Sequence, residues 1–93
     1  MNKVELKGMV GTVKQSDSGI VNFSLLISEA SNNGEGIVIN QSWFQIRALE
    51  KDIRCALEKG KEVYVKGSLR TAQYCDTNNV ECTFTYILAN IVE

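Results

Sequence analysis

The chain has 93 residues, of which 44% are hydrophobic, and it carries a formal net charge of −1 with no proline. This length predicts one domain spanning 1–93, and the apolar fraction excludes a disordered chain. The near-neutral charge excludes a generally basic nucleic-acid binder, so any basic footprint has to be local.

The N-terminal sequence and the cysteines bear on the compartment. MNKVELKG lacks the apolar region of a signal peptide, and the longest strongly apolar run, at 86–89, is too short to span a membrane. The three cysteines are an odd number, in agreement with reduced thiols. We therefore expect a cytoplasmic protein without a membrane partner.

Alternating apolar and polar residues between turn signals predict half-buried strands along most of the chain. In chain order, the predicted elements are a strand at 2–13, a turn at 15–19, a strand at 20–28, a polar loop at 29–36, a strand at 37–49, a helix at 50–59, a strand at 62–70, a hairpin turn at 76–79 and a strand at 80–92. Gly8 and Gly11 interrupt the first strand and predict bulges or tight bends, as where a sheet curls into a barrel.

The apolar faces of these strands are expected to form the core. The side chains assigned to it are Val4, Leu6, Val10, Val21, Phe23, Leu25, Ile27, Phe44, Ile46, Ala48, Val63, Val65, Leu69 and Phe84. A helix is predicted between the third and fourth strands because Ile53, Ala56 and Leu57 recur at helical spacing and Gly60 follows as a C-terminal cap.

This order of elements predicts an all-β fold, a five-stranded Greek-key OB-fold barrel with one short helix between strands 3 and 4. An open α+β sheet is the structural alternative. The order also shows no repeat, linker or low-complexity segment.

Catalytic and metal-binding chemistry is poorly represented. The chain has no histidine, and Cys55, Cys75 and Cys82 lack C-x-x-C spacing. Gly60-Lys61 is followed by Glu62, which excludes a phosphate-binding loop. We therefore expect neither an enzyme nor a cofactor.

Aromatic and basic side chains share the strand phases that point away from the predicted core: Trp43, Arg47, Tyr64, Lys66, Arg70 and Tyr74. Single-stranded nucleic acid needs this combination, because bases stack on aromatic rings at ~1–3 kcal/mol each while cations contact the phosphates. Other interpretations stay open, since Trp43 could pack under the 29–36 loop, Tyr64 could be a cross-strand packing partner, and the basic residues could be simple solvated charges.

Four stretches of the sequence resemble the bacterial single-stranded DNA-binding protein family: 2–11, 23–30, 42–49 and 57–71. The last stretch carries the most specific pattern, L-x-K-G-x-x-V-x-V-x-G-x-L-R-T. The resemblance implies an OB-fold, sequence-tolerant binding of single-stranded DNA in replication, repair or recombination, and assembly into homodimers or homotetramers through the first strand.

The resemblance also implies roles for individual residues. Trp43 matches a base-stacking tryptophan, and Tyr74 matches an aromatic stacker that follows the L-R-T motif. Arg70 matches the arginine of that motif, while Lys3 and Lys51 match basic residues of the first strand and of the helix start.

Three departures from the family pattern qualify this expectation. An aromatic stacker is missing near Ser31, and Leu49 stands where the family has phenylalanine. The family's linker and acidic tail do not follow Glu93, which suggests a trimmed domain or a tailless relative resembling primosomal replication protein B. A primosomal accessory protein that contacts replication proteins, and an OB-fold used only for protein contact, are therefore the alternative functions.

Overall fold

Five long strands and one short 3-10 turn build the computed structural model, which describes all residues from Met1 to Glu93. The strands are β1 (Val4–Gln15), β2 (Ile20–Asn32), β3 (Ile37–Leu49), β4 (Glu62–Cys75) and β5 (Glu81–Val92), and the 3-10 turn is Glu50–Asp52. The turns predicted at 15–19 and 76–79 are confirmed as the β1–β2 and β4–β5 connections.

The strands close into a barrel in the order β1-β2-β3-β5-β4. All neighbouring pairs are antiparallel except β3 and β5, which run parallel where 46–48 face 87–89. Closure removes the free sheet edges that an open sheet would expose. The structure therefore confirms the predicted barrel and excludes the open α+β sheet.

The core consists of side chains that project inward from every strand: Val10, Val21, Phe23, Leu25, Ile46, Ala48, Val63, Val65, Ile87, Ala89 and Val92. Val4, Leu6, Ile27 and Phe44 are partly buried against them, so most of the predicted inner faces are confirmed. Removal of a large aromatic core side chain such as Phe23 costs about 3–5 kcal/mol, because the barrel cannot collapse fully around the cavity.

A bulge in β1 changes which side chains face outward. The β1–β2 register shifts between Val10 and Val13, next to Gly11, which confirms the bulge predicted from the strand glycines. The extra residue reverses the inside-outside alternation beyond this point. Lys14 is consequently exposed opposite Asn22 on β2, although the phase of the earlier β1 residues would have placed it inside.

The helix predicted at 50–59 is wrong beyond its first turn. Leu49 provides no side-chain cap to the 3-10 turn, and Ile53 is already extended and bridges in parallel to Val92 of β5. The next backbone N–H, at Arg54, donates to the carbonyl of Val92 at 2.8 Å. Pairing with the barrel therefore replaces helical hydrogen bonds in this segment.

The sequence 53–57 also contains a second periodicity. Ile53, Cys55 and Leu57 are half-buried against the core, while the residues between them are exposed. This two-residue period suits an extended segment lying on the barrel end better than it suits a helix. Gly60 does adopt the left-handed conformation, with φ of 87°, but in a turn that leads into β4.

Two hairpin arms extend from the same end of the barrel. β2 continues to Asn32, so residues 29–32 of the predicted loop belong to a strand and only 33–36 connect it to β3. β4 likewise continues to Cys75, beyond the predicted end at 70. Because β3 and β5 are parallel, the β2–β3 and β4–β5 arms point in the same direction.

Two residues assigned to the predicted core lie on the surface of the arms instead. Leu69 has the inward phase but is 47% exposed, because β4 at this height no longer closes a barrel. Phe84 is 38% exposed and faces outward opposite Ala72 of β4. Both apolar side chains therefore belong to the surface and not to the core.

Candidate nucleic-acid interface

Trp43 lies on the outer wall of the barrel and is 58% exposed. It pairs with Leu26 of β2, and its indole reaches across to β1, where a Cβ on Gly11 would lie 2.6 Å from the ring carbon Cζ3. The missing side chain at Gly11 thus makes room for the ring. This exposure excludes burial of Trp43 under the β2–β3 connection and leaves the indole available for stacking.

Arg47 is held on the same wall by two neighbours. Its Nε donates to Oδ1 of Asn22 at 3.1 Å, and its guanidinium carbon lies 4.6 Å from the ring centroid of Tyr86. A cation–π contact of this kind contributes about 0.5–1 kcal/mol at an exposed site. Lys14 pairs with Asn22, so a row of polar and cationic side chains crosses β1, β2 and β3.

Three aromatic rings form a row along the β4–β5 arm. The centroids of Tyr74 and Phe84 are 5.8 Å apart in an edge arrangement, and those of Phe84 and Tyr86 are 5.7 Å apart. These separations are typical of favourable aromatic pairs. Because each ring is held by the next, the row offers stacking surface at a low cost in side-chain entropy.

Arg70 completes this surface from β4. It lies directly opposite Tyr86 in the β4–β5 register, and its Nε donates to Oγ of Ser68 at 3.1 Å. We name the surface the aromatic face, and its members are Trp43, Arg47, Arg70, Tyr74, Phe84 and Tyr86, with Lys14 at its edge. Four of the eight residues predicted to bind nucleic acid are brought together there: Trp43, Arg47, Arg70 and Tyr74.

Three other predicted residues, Lys3, Tyr64 and Lys66, lie elsewhere. Tyr64 and Lys66 are on the part of β4 that pairs with β1, where Lys66 faces Glu5. Lys3 forms an ion pair with the same Glu5 at 3.3 Å.

The charges of this β1–β4 wall satisfy one another. The hydrogen bond and charge of Lys3 lower the pKa of the Glu5 carboxyl below its ordinary value. Desolvation, followed by the charge of Glu5, raises the pKa of the Tyr64 hydroxyl. Lys7 likewise pairs with Glu62 at 3.3 Å. The structure therefore does not join these residues to the aromatic face.

The eighth residue, Lys51, is exposed in the 3-10 turn at the end of β3 away from the arms. Phe84, Tyr86 and Lys14 were not identified from the sequence. The alternation of Cys82, Phe84 and Tyr86 with two threonines could have indicated the first two. Lys14 had no such signal, because its outward position depends on the β1 bulge.

The complete chain, residues 1–93, matches the model of the single-strand binding protein family. The chain belongs to this family. Membership confirms the family resemblance found in the sequence. It also confirms that the protein functions in single-strand binding. Because the family binds without catalysing a reaction, the protein is not an enzyme.

Two curated relatives of this family member are vertebrate proteins. The single-stranded DNA-binding protein 1-B, mitochondrial, of Xenopus laevis is 31% identical over a gapped alignment of 107 positions, which covers 97% of this chain and 72% of the relative. The single-stranded DNA-binding protein, mitochondrial, of Danio rerio is 29% identical over 109 residues, covering 99% and 75%. Both relatives are mitochondrial, so the expected cytoplasmic location stays a prediction.

Solved structures share the barrel fold of this chain. The chain superposes on a Plasmodium falciparum SSB complex with ssDNA with a TM-score of 0.76 and 27% identity, covering 100% of this chain and 91% of that one. A small single-stranded DNA-binding protein from Streptomyces coelicolor shares the fold, with a TM-score of 0.67 and 17% identity over 98% of this chain and 91% of that one. The only helical segment, the 3-10 turn Glu50–Asp52, is far too short to span a bilayer as a helix.

Proposed function

We propose that the protein binds single-stranded DNA along the aromatic face with little dependence on base sequence. The observation that carries this proposal is the row of three aromatic rings formed by Tyr74, Phe84 and Tyr86. Trp43 of β3 adds a fourth exposed ring to the same surface. Stacking on such rings contributes ~1–3 kcal/mol per base and tolerates every base, because each has a π-face.

The charges of the aromatic face support contact with phosphates. Arg47 and Arg70 hydrogen-bond to neutral side chains, and the two ion pairs of the structure lie instead on the β1–β4 wall. The arginines are therefore free of carboxylate partners. This arrangement supplies the local basic footprint that a net charge of −1 demands.

The relatives support DNA as the ligand. Two of them are named single-stranded DNA-binding proteins, and the solved Plasmodium structure is described as a complex with ssDNA. Titration with oligo-dT at two salt concentrations tests the proposal through Trp43 fluorescence. Binding that quenches Trp43 and weakens with salt is expected, and absence of any response at low salt would contradict it.

We also propose that the protein assembles into a homodimer or homotetramer through β1. The β1–β2 register begins at Met9, whereas Val4–Gly8 pair only with β4, so one backbone edge of this segment has no strand beside it. Such an edge can pair with another strand. A symmetric assembly would join several weak sites into one strong one. Sedimentation at micromolar concentration should show a dimer or tetramer, and a clean monomer would contradict this arrangement.

The tip of the β2–β3 arm favours an additional role in protein contact. Ile37 is 73% exposed, and Ile39 is exposed on the same strand face. This apolar tip supports contact with replication or primosome proteins, the alternative expected from the sequence. An Ile37→Ser, Ile39→Ser variant should keep its affinity for oligo-dT but lose binding to a purified primosomal helicase or loader. Equal binding of parent and variant to those partners would contradict the role.

A further inference from the structure

A cleft opens in the barrel wall where β3 and β5 separate. The parallel pairing of these strands begins at Ile46 and Ile87, and on the side of the arms the cleft has a volume of about 240 Å³. Trp43 and Gln45 line it from β3, and Tyr86 lines it from β5. The cleft therefore opens beside the aromatic row of the β4–β5 arm, whereas the indole of Trp43 points away from it across β2.

The lining of the cleft selects a flat, uncharged occupant. Leu69 from β4 and Phe44 from β3 give it an apolar surface, and no charged residue lines it. Besides Tyr86, its two polar residues are Gln45 of β3 and Thr85 of β5. A phosphate would lose its solvation against this largely apolar lining, whereas a base would keep hydrogen-bonding partners.

The size and position of the cleft favour a single ring system. Pockets that enclose drug-sized ligands measure roughly 300–1,000 Å³, above the volume found here. The cleft also adjoins the aromatic face, since Tyr86 belongs to both. A strand stacked along the face would place its bases at the mouth of the cleft.

We propose that the cleft takes one base of the bound strand, inserted beside Tyr86, with Gln45 and Thr85 hydrogen-bonding to its edge. The inference depends on the proposed binding of single-stranded DNA along the aromatic face. Stacking on the face is tolerant of sequence, but hydrogen bonds to a base edge differ between bases. The protein therefore has one base-discriminating position within an otherwise tolerant site.

The test compares the affinities of the complete chain for oligo-dT, oligo-dC and oligo-dA. The parent should discriminate among them, and Gln45→Leu and Thr85→Val should each reduce the largest ratio of affinities roughly threefold to tenfold, as expected for one hydrogen bond. Thr71→Val is the matched control, because Thr71 is the cross-strand partner of Thr85 but does not line the cleft. This control should keep the discrimination of the parent.

Filling the cleft gives an independent variant. Leu69→Phe should reduce the same ratio without changing the salt dependence of binding, and thermal melts establish that each variant is folded. Discrimination that arises from stacking within the oligonucleotide is a property of the DNA, so it would persist in every variant and would overturn the inference. A parent that binds all three oligonucleotides equally would overturn it as well. A parent that binds none would contradict the proposed function itself, which separates the two failures.

Discussion

The guanidinium carbon of Arg47 lies 4.6 Å from the ring centroid of Tyr86, and this contact joins β3 to β5 at the base of the cleft. Asn22 of β2 accepts a hydrogen bond from the same guanidinium at 3.1 Å. The arginine is therefore positioned before any ligand binds, with its charge beside an aromatic platform. Preorganisation of this kind lowers the entropic cost of contacting a strand.

Arg47→Met should make the salt dependence of oligo-dT binding shallower by about 0.7 in the log–log slope, the value for one phosphate contact of a single strand. Lys66→Met is the matched control, since Lys66 faces Glu5 on the β1–β4 wall and should leave the slope unchanged. Salt titrations of both variants and the parent measure the effect. A larger change in the slope for Lys66→Met than for Arg47→Met would show that the DNA phosphates lie along the β1–β4 wall.

Trp43→Ala should lower the affinity for oligo-dT by ~1–3 kcal/mol, because a stacking platform is lost. Fold stability should change little, since the indole is more exposed than buried. Binding isotherms and thermal melts separate the two effects. A collapse of the melting temperature, with unchanged binding per folded molecule, would show that Trp43 serves the fold.

Gly11→Ala should weaken binding through Trp43. A Cβ at this position would lie 2.5 Å from Oγ of Ser24 and 2.6 Å from Cζ3 of the indole, so the ring has to move. The loss of affinity should reach at most the ~1–3 kcal/mol of one stacking contact. A double-mutant cycle checks the cause. In the Trp43→Ala background, Gly11→Ala should have no further effect on affinity, and a full additive loss would contradict the mechanism.

Arg70 and Tyr74 should show different salt behaviour. Arg70→Ala should reduce the log–log slope by about 0.7, as one phosphate contact is removed. Tyr74→Ala should weaken binding at every salt concentration and leave the slope nearly unchanged, because stacking does not depend on charge. The reverse pattern would show that the two roles are exchanged. Unchanged affinity and slope in both variants would show that β4 is not part of the interface.

The pH dependence of the β1–β4 wall should be separate from DNA binding. Because the pKa of Glu5 is lowered in the folded protein, chiefly by Lys3, its contribution to stability is present above the ordinary value of 4.5 and is lost as the pH falls through the lowered folded value. Lys3→Met should raise the pKa of Glu5, as measured by NMR titration. The pKa of the Tyr64 hydroxyl is instead raised in the folded protein. Its contribution to stability is therefore present below the ordinary pKa of 10.0 and is lost as the pH rises through the raised folded value.

The same variant also tests whether this wall takes part in DNA binding. Between these two limits, oligo-dT affinity should be independent of Lys3→Met, because Glu5, Lys3 and Tyr64 lie off the aromatic face. A marked loss of affinity in Lys3→Met would place this wall in the DNA path.

Local sequence patterns specify the five strands, most of the core and the outward positions of the four predicted residues that meet on the aromatic face. These features depend on local patterns, since a two-residue alternation such as Ile46, Arg47, Ala48 specifies which side of a strand is buried. The same alternation placed Trp43, Arg70 and Tyr74 outward correctly. Four stretches of the sequence, above all the pattern at 57–71 that ends in L-R-T, indicated the family.

How these strands meet depends on contacts that form in the folded barrel. The bulge beside Gly11 brings Lys14 outward, and the fork between β3 and β5 turns Leu69 from a core residue into a cleft residue. Ile53 pairs with Val92, a residue far away in the sequence, and this pairing prevents the helix that local spacing predicted. Each outcome depends on contacts between distant segments, whose energies no local pattern contains.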